Sequence, residues 1–310
     1  MKSKIPLNPM TTTLKVFFII GFMAMISCAF GQDDQLNNVE IQKILQNLKY
    51  KQGEVKIKDG LATFNVPTNF AYLDAADAKT VLVKLWGNPP AQVDDVLGLL
   101  MPANVTPLDT NCWAVTISYS SDGYVKDADA NKINYDDLLK KMQTAVHDEN
   151  KAREDKGYPA MELVGWAAPP HYDATTHKLY WAKEFKVAGA SENTLNYDIR
   201  ILGRRGVLVL TAIAGMDQMP EIESQTPQIL GMVDFNQGNR YADFDPKVDK
   251  VAAYGVAALI AGGVAAKLGL FKLLWVFILA AKKLIIIGLA AIAAWFKRFF
   301  GKRKGPTPTA

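Results

Sequence analysis

The sequence predicts an α+β fold with a mainly antiparallel sheet and several helices, followed by a C-terminal membrane helical segment. Runs of alternating apolar and polar residues, separated by turn residues, indicate antiparallel strands. Helical patterns are interspersed among these strands without the regular alternation of strand and helix that produces a parallel sheet. Residues 251–296 are apolar almost throughout, and this stretch exceeds the roughly 20 residues that a helix needs to cross a bilayer.

Residues 1–31 are predicted to be a secretory signal peptide. Three lysines precede a short apolar run, and small residues stand at Ala29 and Gly31, so cleavage is expected before Gln32. The sequence around Cys28 also resembles a bacterial lipoprotein box, and lipidation of Cys28 is an alternative that stays open. Residues 32–250 are predicted to form an exported, periplasmic domain.

The first half of this domain combines two predicted helices with a hairpin. Apolar residues at helical spacing predict a short amphipathic helix over 36–50. Alternating strands on either side of Asp59 and Gly60 predict a β-hairpin with one buried face. Asp74 is predicted to cap a second helix, which ends at Gly87 before two prolines.

The second half is predicted to be rich in strands. A strand over 113–119 follows Cys112, for which we expect a buried, unreactive thiol. Asn134 is predicted to cap a long helix that ends near Gly157. The remaining elements are strands over 161–167, 179–187, 195–202 and 207–214, and a last helix over 220–233 that Pro227 is expected to kink.

Two of these strands are predicted to lie in different environments. In 195–202, apolar residues alternate with Asn196, Asp198 and Arg200, so this strand is expected to face water on one side. Residues 207–214 are apolar except for one threonine. This strand is therefore expected to be central in the sheet and covered on both faces.

Charge is distributed unevenly along the chain. All 31 Asp and Glu residues lie between Gln32 and Lys250, so the exported domain is acidic and both ends of the chain are basic. Nucleic-acid binding requires basic residues on the folded domain, and we therefore expect no nucleic-acid partner. The chain has 2 cysteines, one of them in the signal peptide, which excludes a disulfide framework.

Candidate residues for chemistry are sparse in the domain. His171 and His177 flank a turn that contains Asp173, and these three could bind zinc, although loop residues of this kind are more often surface groups. The sequence contains no recognisable nucleotide-binding glycine pattern and no nucleophile with an evident neighbouring base. We therefore predict no catalytic residue and no cofactor.

Two further clusters have both a functional and a structural interpretation. Asp127 and Asp129 are spaced as in a calcium loop, but Lys132 replaces the required glycine, so a solvated turn is favoured. Arg204 and Arg205 at a hairpin tip could bind a phosphate or carboxylate. Solvated turn arginines are the favoured interpretation.

The apolar C-terminal part, 251–300, is predicted to be a transmembrane or interfacial segment of the bacterial inner membrane. A basic tail over 301–310 is expected to stay on the cytoplasmic side. We favour a single crossing over about 251–271, because two crossings would bury Lys282 and Lys283 near the centre of the bilayer.

Small and basic residues in this segment predict its contacts. Gly255, Gly262 and Gly269 recur every seven residues, which could let two membrane helices pack closely in a homo-oligomer. The alternative is that a single helix merely tolerates them. The basic side chains expected to face lipid headgroups are Lys267, Lys272, Lys282, Lys283, Lys297 and Arg298.

Eight strings along the chain carry a resemblance to a known family. They are LDAADA at 73–78, LWGNPP at 85–90, DGYVKD at 122–127, LVGW at 163–166, PHYD at 170–173, KLYWAK at 178–183, LGRRGV at 202–207 and KVAAYG at 250–255. Through them the sequence resembles the domain-of-unknown-function 2167 family of uncharacterised bacterial membrane-anchored proteins. The resemblance implies an exported domain followed by a membrane segment, and it implies no reaction and no catalytic residues.

Two functional hypotheses from different classes follow. The favoured one is a non-enzymatic, membrane-anchored envelope protein whose periplasmic domain binds a protein or a small ligand. Its expected partners are membrane lipid, a second copy of the chain and an unidentified envelope protein. The alternative is a membrane-anchored metal-dependent hydrolase that uses His171, His177 and Asp173.

Overall fold

The computed structural model describes residues 36–155 and 157–262. They belong to the first of the two units into which the chain divides, Met1–Val264 and Ala265–Ala310. The helices are α1 (Asn38–Asn47), α2 (Ala75–Thr80), α3 (Tyr135–Glu154), α4 (Met219–Met232) and α5 (Val256–Ala261). The strands are β1 (Gly53–Ile57), β2 (Ala62–Val66), β3 (Phe70–Asp74), β4 (Val96–Pro102), β5 (Ala114–Ser120), β6 (Tyr124–Lys126), β7 (Met161–Asp173), β8 (Lys178–Val187), β9 (Thr194–Leu202), β10 (Val207–Gly215), β11 (Val233–Phe235) and β12 (Val251–Gly255).

The main sheet has seven antiparallel strands in the order β3-β4-β5-β10-β9-β8-β7. A smaller antiparallel sheet has the order β1-β2-β11, and β12 pairs with β6 in parallel. The predicted α+β class with a mainly antiparallel sheet is confirmed. The apolar strand β10 occupies the middle of the main sheet, as its sequence predicts.

Apolar clusters lie on both faces of the main sheet. On one face, α4 and the small sheet pack against β5, β9 and β10 through residues such as Phe64, Ile222 and Phe235. On the other face, α2 and the helical turn that follows it, Val81–Leu85, pack against β4 at one end through Ala78, Leu82 and Leu99. At the other end of that face, α3 and α5 pack against β8. The two clusters on this second face leave the middle of the sheet between them.

Local signals in the sequence place several of these elements. Asp59 and Gly60 lie in the turn between β1 and β2, with φ angles of +57° and +83°, as the predicted hairpin requires. Asp74 accepts hydrogen bonds from two backbone N–H groups in the first turn of α2. Asn134 does the same for α3. Both predicted N-caps are confirmed.

The strand β7 is at one edge of the main sheet, and side chains of α3 cover part of that edge. Asn150 donates to the carbonyl of Met161 and accepts from its N–H, both at 2.8 Å. Gln143 donates from Nε2 to the carbonyls of Leu163 and Val164, each at 3.2 Å. These amides satisfy backbone groups that an edge strand otherwise leaves open.

The structure corrects the prediction that the strand over 195–202 faces water on one side. Asn196 and Asp198, on that face of β9, are each only 2% exposed. The side chain of Arg200 is 12% exposed. The alternation separates the two faces of the strand correctly, but the polar face lies between two apolar clusters inside the domain and not against solvent.

The structure also differs from the predicted membrane segment at its start. Residues 251–255 pair with β6, and α5 buries Val256 and Ile260 in an apolar cluster of the domain. Residues 251–262 therefore belong to the folded domain. Within the part of the chain that the structure describes, no helix has the length and apolar character to span a bilayer. The predicted signal peptide and residues 263–310 lie outside the described residues.

Gly255 and Gly262 do not share one face of a helix. Gly255 precedes α5, and a Cβ atom at this position would lie 2.5 Å from Oδ2 of Asp129. Gly262 follows α5 with a φ of +68°, which is typical of the residue that ends a helix. These two glycines therefore have roles other than the predicted helix packing, and Gly269 lies outside the described residues.

Candidate functional site

The middle of the main sheet carries a group of polar side chains on one face. Cross-strand register places Thr116, Thr211, Asp198 and Trp181 in one row across β5, β10, β9 and β8. The adjacent row brings Ile213, Asn196 and Lys183 together. We define the polar strip as Thr116, Lys183, Asn196, Asp198, Arg200 and Thr211, which lie between the two apolar clusters of this face.

Asp198 is at the centre of the polar strip. Its Oδ2 lies 2.8 Å from the ammonium of Lys183. Its Oδ1 accepts a hydrogen bond from Arg200 at 3.1 Å and another from Thr211 at 2.8 Å. Burial opposes ionisation of this carboxyl, but the charges of Lys183 and Arg200 outweigh it, so the pKa of Asp198 lies below its ordinary value.

Aromatic rings surround the cations of the strip. The guanidinium of Arg200 lies 4.9 Å from the centroid of the Trp181 ring. The ammonium of Lys183 lies 5.9 Å from the same ring and 5.6 Å from the Phe185 ring. Contacts of this kind add an electrostatic attraction between the cation and the face of the ring.

Among the described residues, two buried polar atoms at the strip have neither a hydrogen-bond partner nor an ion-pair partner, whereas Oδ2 of Asp198 has only its ion pair with Lys183. The two atoms are Nε1 of Trp181, whose residue is fully buried, and Oδ1 of Asn196, whose residue is 2% exposed. A buried polar atom without a partner costs about 1–3 kcal/mol. Such atoms are therefore rare in folded proteins, and an ordered water, an ion or a ligand can supply the missing bond.

A pocket opens at the end of the polar strip. It has a volume of about 160 Å³ and is lined by residues that include Thr194, Ile213, Glu192 and Asp217. Thr194 is two residues before Asn196 on the same face of β9, and Ile213 is directly opposite Asn196. The pocket therefore adjoins the end of the strip, although no residue of the strip lines it, and its lining includes two acidic residues but no lysine or arginine.

A second polar cluster joins the residue that follows β6, the strand β7 and the turn before β8. The hydroxyl of Tyr172 donates to Oδ2 of Asp127 at 2.7 Å, and Nδ1 of His177 lies 3.1 Å from that hydroxyl. Burial raises the pKa of Asp127, but hydrogen bonds led by that from Tyr172 outweigh it, and the pKa is lowered. Both Asp127 and His177 are about one-third exposed. The cluster therefore connects an imidazole and a carboxylate through the hydroxyl of Tyr172.

The residues proposed as metal ligands are divided among different contacts. Asp173 accepts hydrogen bonds from the backbone N–H groups of Thr175 and Thr176 and from the hydroxyl of Thr176, which stabilise the turn. The ring of His171 packs 5.0 Å from that of Tyr180, whereas His177 contacts the Asp127 cluster. Within residues 36–155 and 157–262, no three His, Cys, Asp or Glu side chains form a metal-binding group.

The arginines and aspartates predicted as solvated turn residues have defined partners. Arg204 and Arg205 donate to the two carboxylate oxygens of Asp249, at 2.6 Å and 2.8 Å. Asp129 accepts from the N–H of Val256 at 3.1 Å, at the start of α5. These contacts attach the segment around β12 to the rest of the domain.

The sequence contained one signal for the polar strip. Trp181, Lys183 and Phe185 alternate along β8 and therefore share a face, so Lys183 stands on the apolar face of its strand. A charged residue at such a position indicates a buried ion pair or a ligand site. The alternation along β9 alone predicts a solvent face for Asn196, Asp198 and Arg200, whereas Lys183 on the neighbouring strand indicates that this face is buried.

Comparison with known proteins gives one family and distant structural similarity. A search of the curated proteins found no match. The solution structure of cyanobacterial PsbP (CyanoP) from Synechocystis sp. PCC 6803 aligns with a TM-score of 0.34 at 13% identity, covering 59% of this chain and 91% of that chain. The crystal structure of the Saccharomyces cerevisiae Ran-binding protein Mog1p aligns with a TM-score of 0.32 at 11% identity, covering 64% of this chain and 100% of that chain.

The family comparison covers most of the chain. The model of the family described as protein of unknown function (DUF2167) matches residues 49–293. That range contains every strand of the main sheet and the whole polar strip. The chain therefore belongs to the DUF2167 family of proteins of unknown function.

Proposed function

We propose that this protein is a membrane-anchored envelope protein whose exported domain binds a small polar ligand at the polar strip and does not transform it. The observation that carries the proposal is the pair of unpartnered buried atoms, Oδ1 of Asn196 and Nε1 of Trp181, beside a buried ion cluster. A ligand that hydrogen-bonds to both atoms removes the cost of leaving them unpaired.

The position of the strip on a rigid scaffold supports binding. Its side chains project from four neighbouring antiparallel strands in the middle of the sheet, and Asp198 holds Lys183 and Arg200 in fixed positions. A site whose polar groups are already oriented loses little conformational entropy when a ligand binds. The adjacent pocket provides about 160 Å³ for the body of a small molecule.

The anchor in this proposal follows α5 directly. Residues 263–296 remain apolar apart from lysines, and we propose that this part attaches the domain to the inner membrane, with the signal peptide directing export. The basic residues after it favour the cytoplasmic side for the tail. In this proposal the membrane crossing begins after Gly262 and not at Val251.

Binding is tested by thermal unfolding of the intact protein in detergent micelles. A panel of neutral sugars, amino acids, organic acids and phosphates is added, and unfolding is followed by tryptophan fluorescence. At least one compound is expected to raise the midpoint in the unchanged protein but not in the Asn196→Ala variant. The variant Asn69→Ala, at an exposed side chain that bonds Gln228, is the control. If no compound in the panel raises the unfolding midpoint, the binding proposal is contradicted.

Anchoring is tested separately. The protein is expected in the membrane fraction after alkaline carbonate washing, and a periplasm-dependent reporter enzyme fused after Ala310 is expected to be inactive. Mass spectrometry of the purified N-terminus distinguishes cleavage before Gln32 from lipidation at Cys28. Recovery of the uncleaved chain in the soluble cytosolic fraction would refute both the anchor and the export.

A further inference from the structure

The small sheet has an open edge at β1. This strand pairs with β2 on one side, from Gly53 opposite Val66 to Ile57 opposite Ala62. Within residues 36–155 and 157–262, the backbone of β1 hydrogen-bonds to β2 and to the hairpin turn, and to no other element. An edge strand of this kind presents unpaired N–H and C=O groups with which a strand of another molecule can pair.

The two edges of the main sheet are covered by comparison. Beside β3, Lys51 and Tyr72 exchange two backbone hydrogen bonds of 2.9 Å, and the side chain of Gln52 donates to the carbonyl of Phe70. At the opposite edge, two amides of α3 bond to the backbone of β7. The edge of β1 therefore differs from both, because its outward backbone groups are free to accept another strand.

The side chains of β1 alternate between solvent and the domain interior. Val55 and Ile57 pack towards the apolar cluster between the two sheets. Glu54 and Lys56 point to the other face, where their side chains are 62% and 68% exposed and lie 3.6 Å apart. An ion pair with this exposure contributes little to the stability of a single molecule. Both charges therefore remain available to a partner strand.

This charge pattern is complementary to itself in one register. A two-fold axis perpendicular to the sheet makes two copies of β1 antiparallel and keeps equivalent side chains on the same face. With Val55 opposite Val55 of the second copy, each Glu54 stands opposite Lys56 of the other copy. A register centred on Glu54 or on Lys56 places like charges opposite each other, which destabilises the pairing.

We propose that β1 is a dimerisation edge, through which two copies of this chain join their three-stranded sheets into one continuous antiparallel sheet with Val55 at the two-fold axis. A second copy is the favoured partner because Glu54 and Lys56 attract their own counterparts. An edge that carried lysine alone would repel its copy. The inference goes beyond the proposed function, since no residue of β1 belongs to the polar strip or lines the pocket beside it.

Cysteine cross-linking of the intact protein in micelles tests the register. Directly opposite residues of antiparallel strands have Cα atoms about 4.5–5.5 Å apart, which a disulfide can span, whereas diagonal neighbours are about 7–8 Å apart. Val55→Cys is therefore expected to form a disulfide-linked dimer under mild oxidation. Glu54→Cys and Lys56→Cys should each form little dimer alone, but an equimolar mixture of the two should form it.

Two controls accompany the cross-linking. The unchanged protein, in which Cys112 is buried, is expected to remain monomeric on non-reducing gels. Glu162→Cys places an exposed thiol on β7, at the covered edge, and should not form a dimer either. If Val55→Cys has an altered far-ultraviolet circular dichroism spectrum, the mixture of Glu54→Cys and Lys56→Cys decides the register, because both positions are exposed.

Charge variants test the attraction by sedimentation equilibrium in density-matched micelles. Glu54→Lys places lysines opposite each other twice, so the dissociation constant of the dimer is expected to rise at least about tenfold. Lys56→Glu should have the same effect. Mixing these two variants should restore association, because the two strands then carry opposite charges. The double variant Glu54→Lys/Lys56→Glu keeps the net charge of the unchanged protein and should associate normally.

Two results would overturn the dimerisation edge. One is a protein that stays monomeric at every concentration and gives no disulfide in Val55→Cys. The other is association of equal strength in Glu54→Lys and the unchanged protein, which would place the contact elsewhere, such as in the membrane segment. Neither result bears on ligand binding at the polar strip, and failure of the compound panel leaves the dimer unaffected, so the two proposals are judged separately.

Discussion

Replacing Asp198 with asparagine tests the buried ion cluster most directly. The substitution preserves the size of the side chain but removes the charge that faces Lys183 and Arg200, whose side chains are 11% and 12% exposed. Removing one partner of a buried ion pair costs about 3–5 kcal/mol, because the remaining charge stays out of water. Because two cations lose their carboxylate here, we expect the upper part of that range.

Urea unfolding of the intact protein, followed by tryptophan fluorescence, measures this change. At roughly 2 kcal/mol per M of urea, a loss of about 4 kcal/mol lowers the unfolding midpoint of Asp198→Asn by about 2 M. Thr211→Val removes only one hydrogen bond to the same carboxylate, and we expect about 1.5–3 kcal/mol. Combining Asp198→Asn with Lys183→Met removes one of the stranded cations and should recover part of the loss.

Two results would refute this reasoning. A loss below about 1 kcal/mol in Asp198→Asn would place the cluster in the range of solvent-exposed ion pairs, which contradicts its burial. If the stability loss of the double variant equals the sum of the losses of Asp198→Asn and Lys183→Met, Lys183 and Asp198 do not interact. A changed slope of the urea dependence would instead indicate an altered unfolded state, so the slope must be compared with that of the unchanged protein.

Three further predictions concern other parts of the domain. Gly255→Ala is expected to lower stability by about 1–3 kcal/mol, because the new Cβ would meet the carboxylate of Asp129 at 2.5 Å; Gly231→Ala, where nothing lies within 4 Å of the Cβ position, is the control in urea unfolding and should not lose stability. Asp249 has a pKa held below its ordinary value by the hydrogen bond from Arg204, so its stabilising effect is complete above the ordinary carboxyl range and is lost as the pH falls through the folded pKa. Asp249→Asn should therefore be less stable than the unchanged protein at neutral pH and show a smaller further loss in acid; equal acid sensitivity in thermal unfolding would contradict this. Burial raises the pKa of the Cys112 thiol to about 12, so iodoacetamide at pH 8 should label this residue slowly in the folded protein and rapidly in urea, and fast labelling of the folded protein would be evidence against a buried thiol.

The elements predicted from the sequence are those whose signals are local. Asp74 and Asn134 precede helices whose first N–H groups need an acceptor, and both side chains supply it. The turn at Gly60 needs a positive φ, which glycine adopts without strain. The position of β10 followed from its apolar residues on both faces. These features depend on neighbouring residues only and can be inferred without knowing the rest of the fold.

The candidate site could not be predicted in the same way. Alternation in β9 shows which residues share a face with Asp198, but it does not show whether that face meets water or another layer of the domain. The burial of Asn196 depends on its position between two apolar clusters, formed by helices distant in the sequence. Only Lys183, on the apolar face of β8, indicated from the sequence that charge lies inside the domain.

The beginning of the apolar C-terminal stretch was misassigned for a related reason. A short apolar run can be a buried strand or the first turn of a membrane helix, and periodicity alone does not distinguish them. Val251 lies in a strand because β6, more than 120 residues earlier, offers an edge for pairing. A strand pairing across so many residues cannot be recognised from a local sequence pattern.

The two amides of α3 that bind the edge of β7 also limit how copies of this domain can associate. Asn150 and Gln143 occupy the carbonyl and N–H positions that a strand from another molecule would have to use. Joining two main sheets into one continuous sheet along 161–164 would require both amides to withdraw first. Many copies of the domain can therefore lie side by side on one surface without joining their main sheets along this edge.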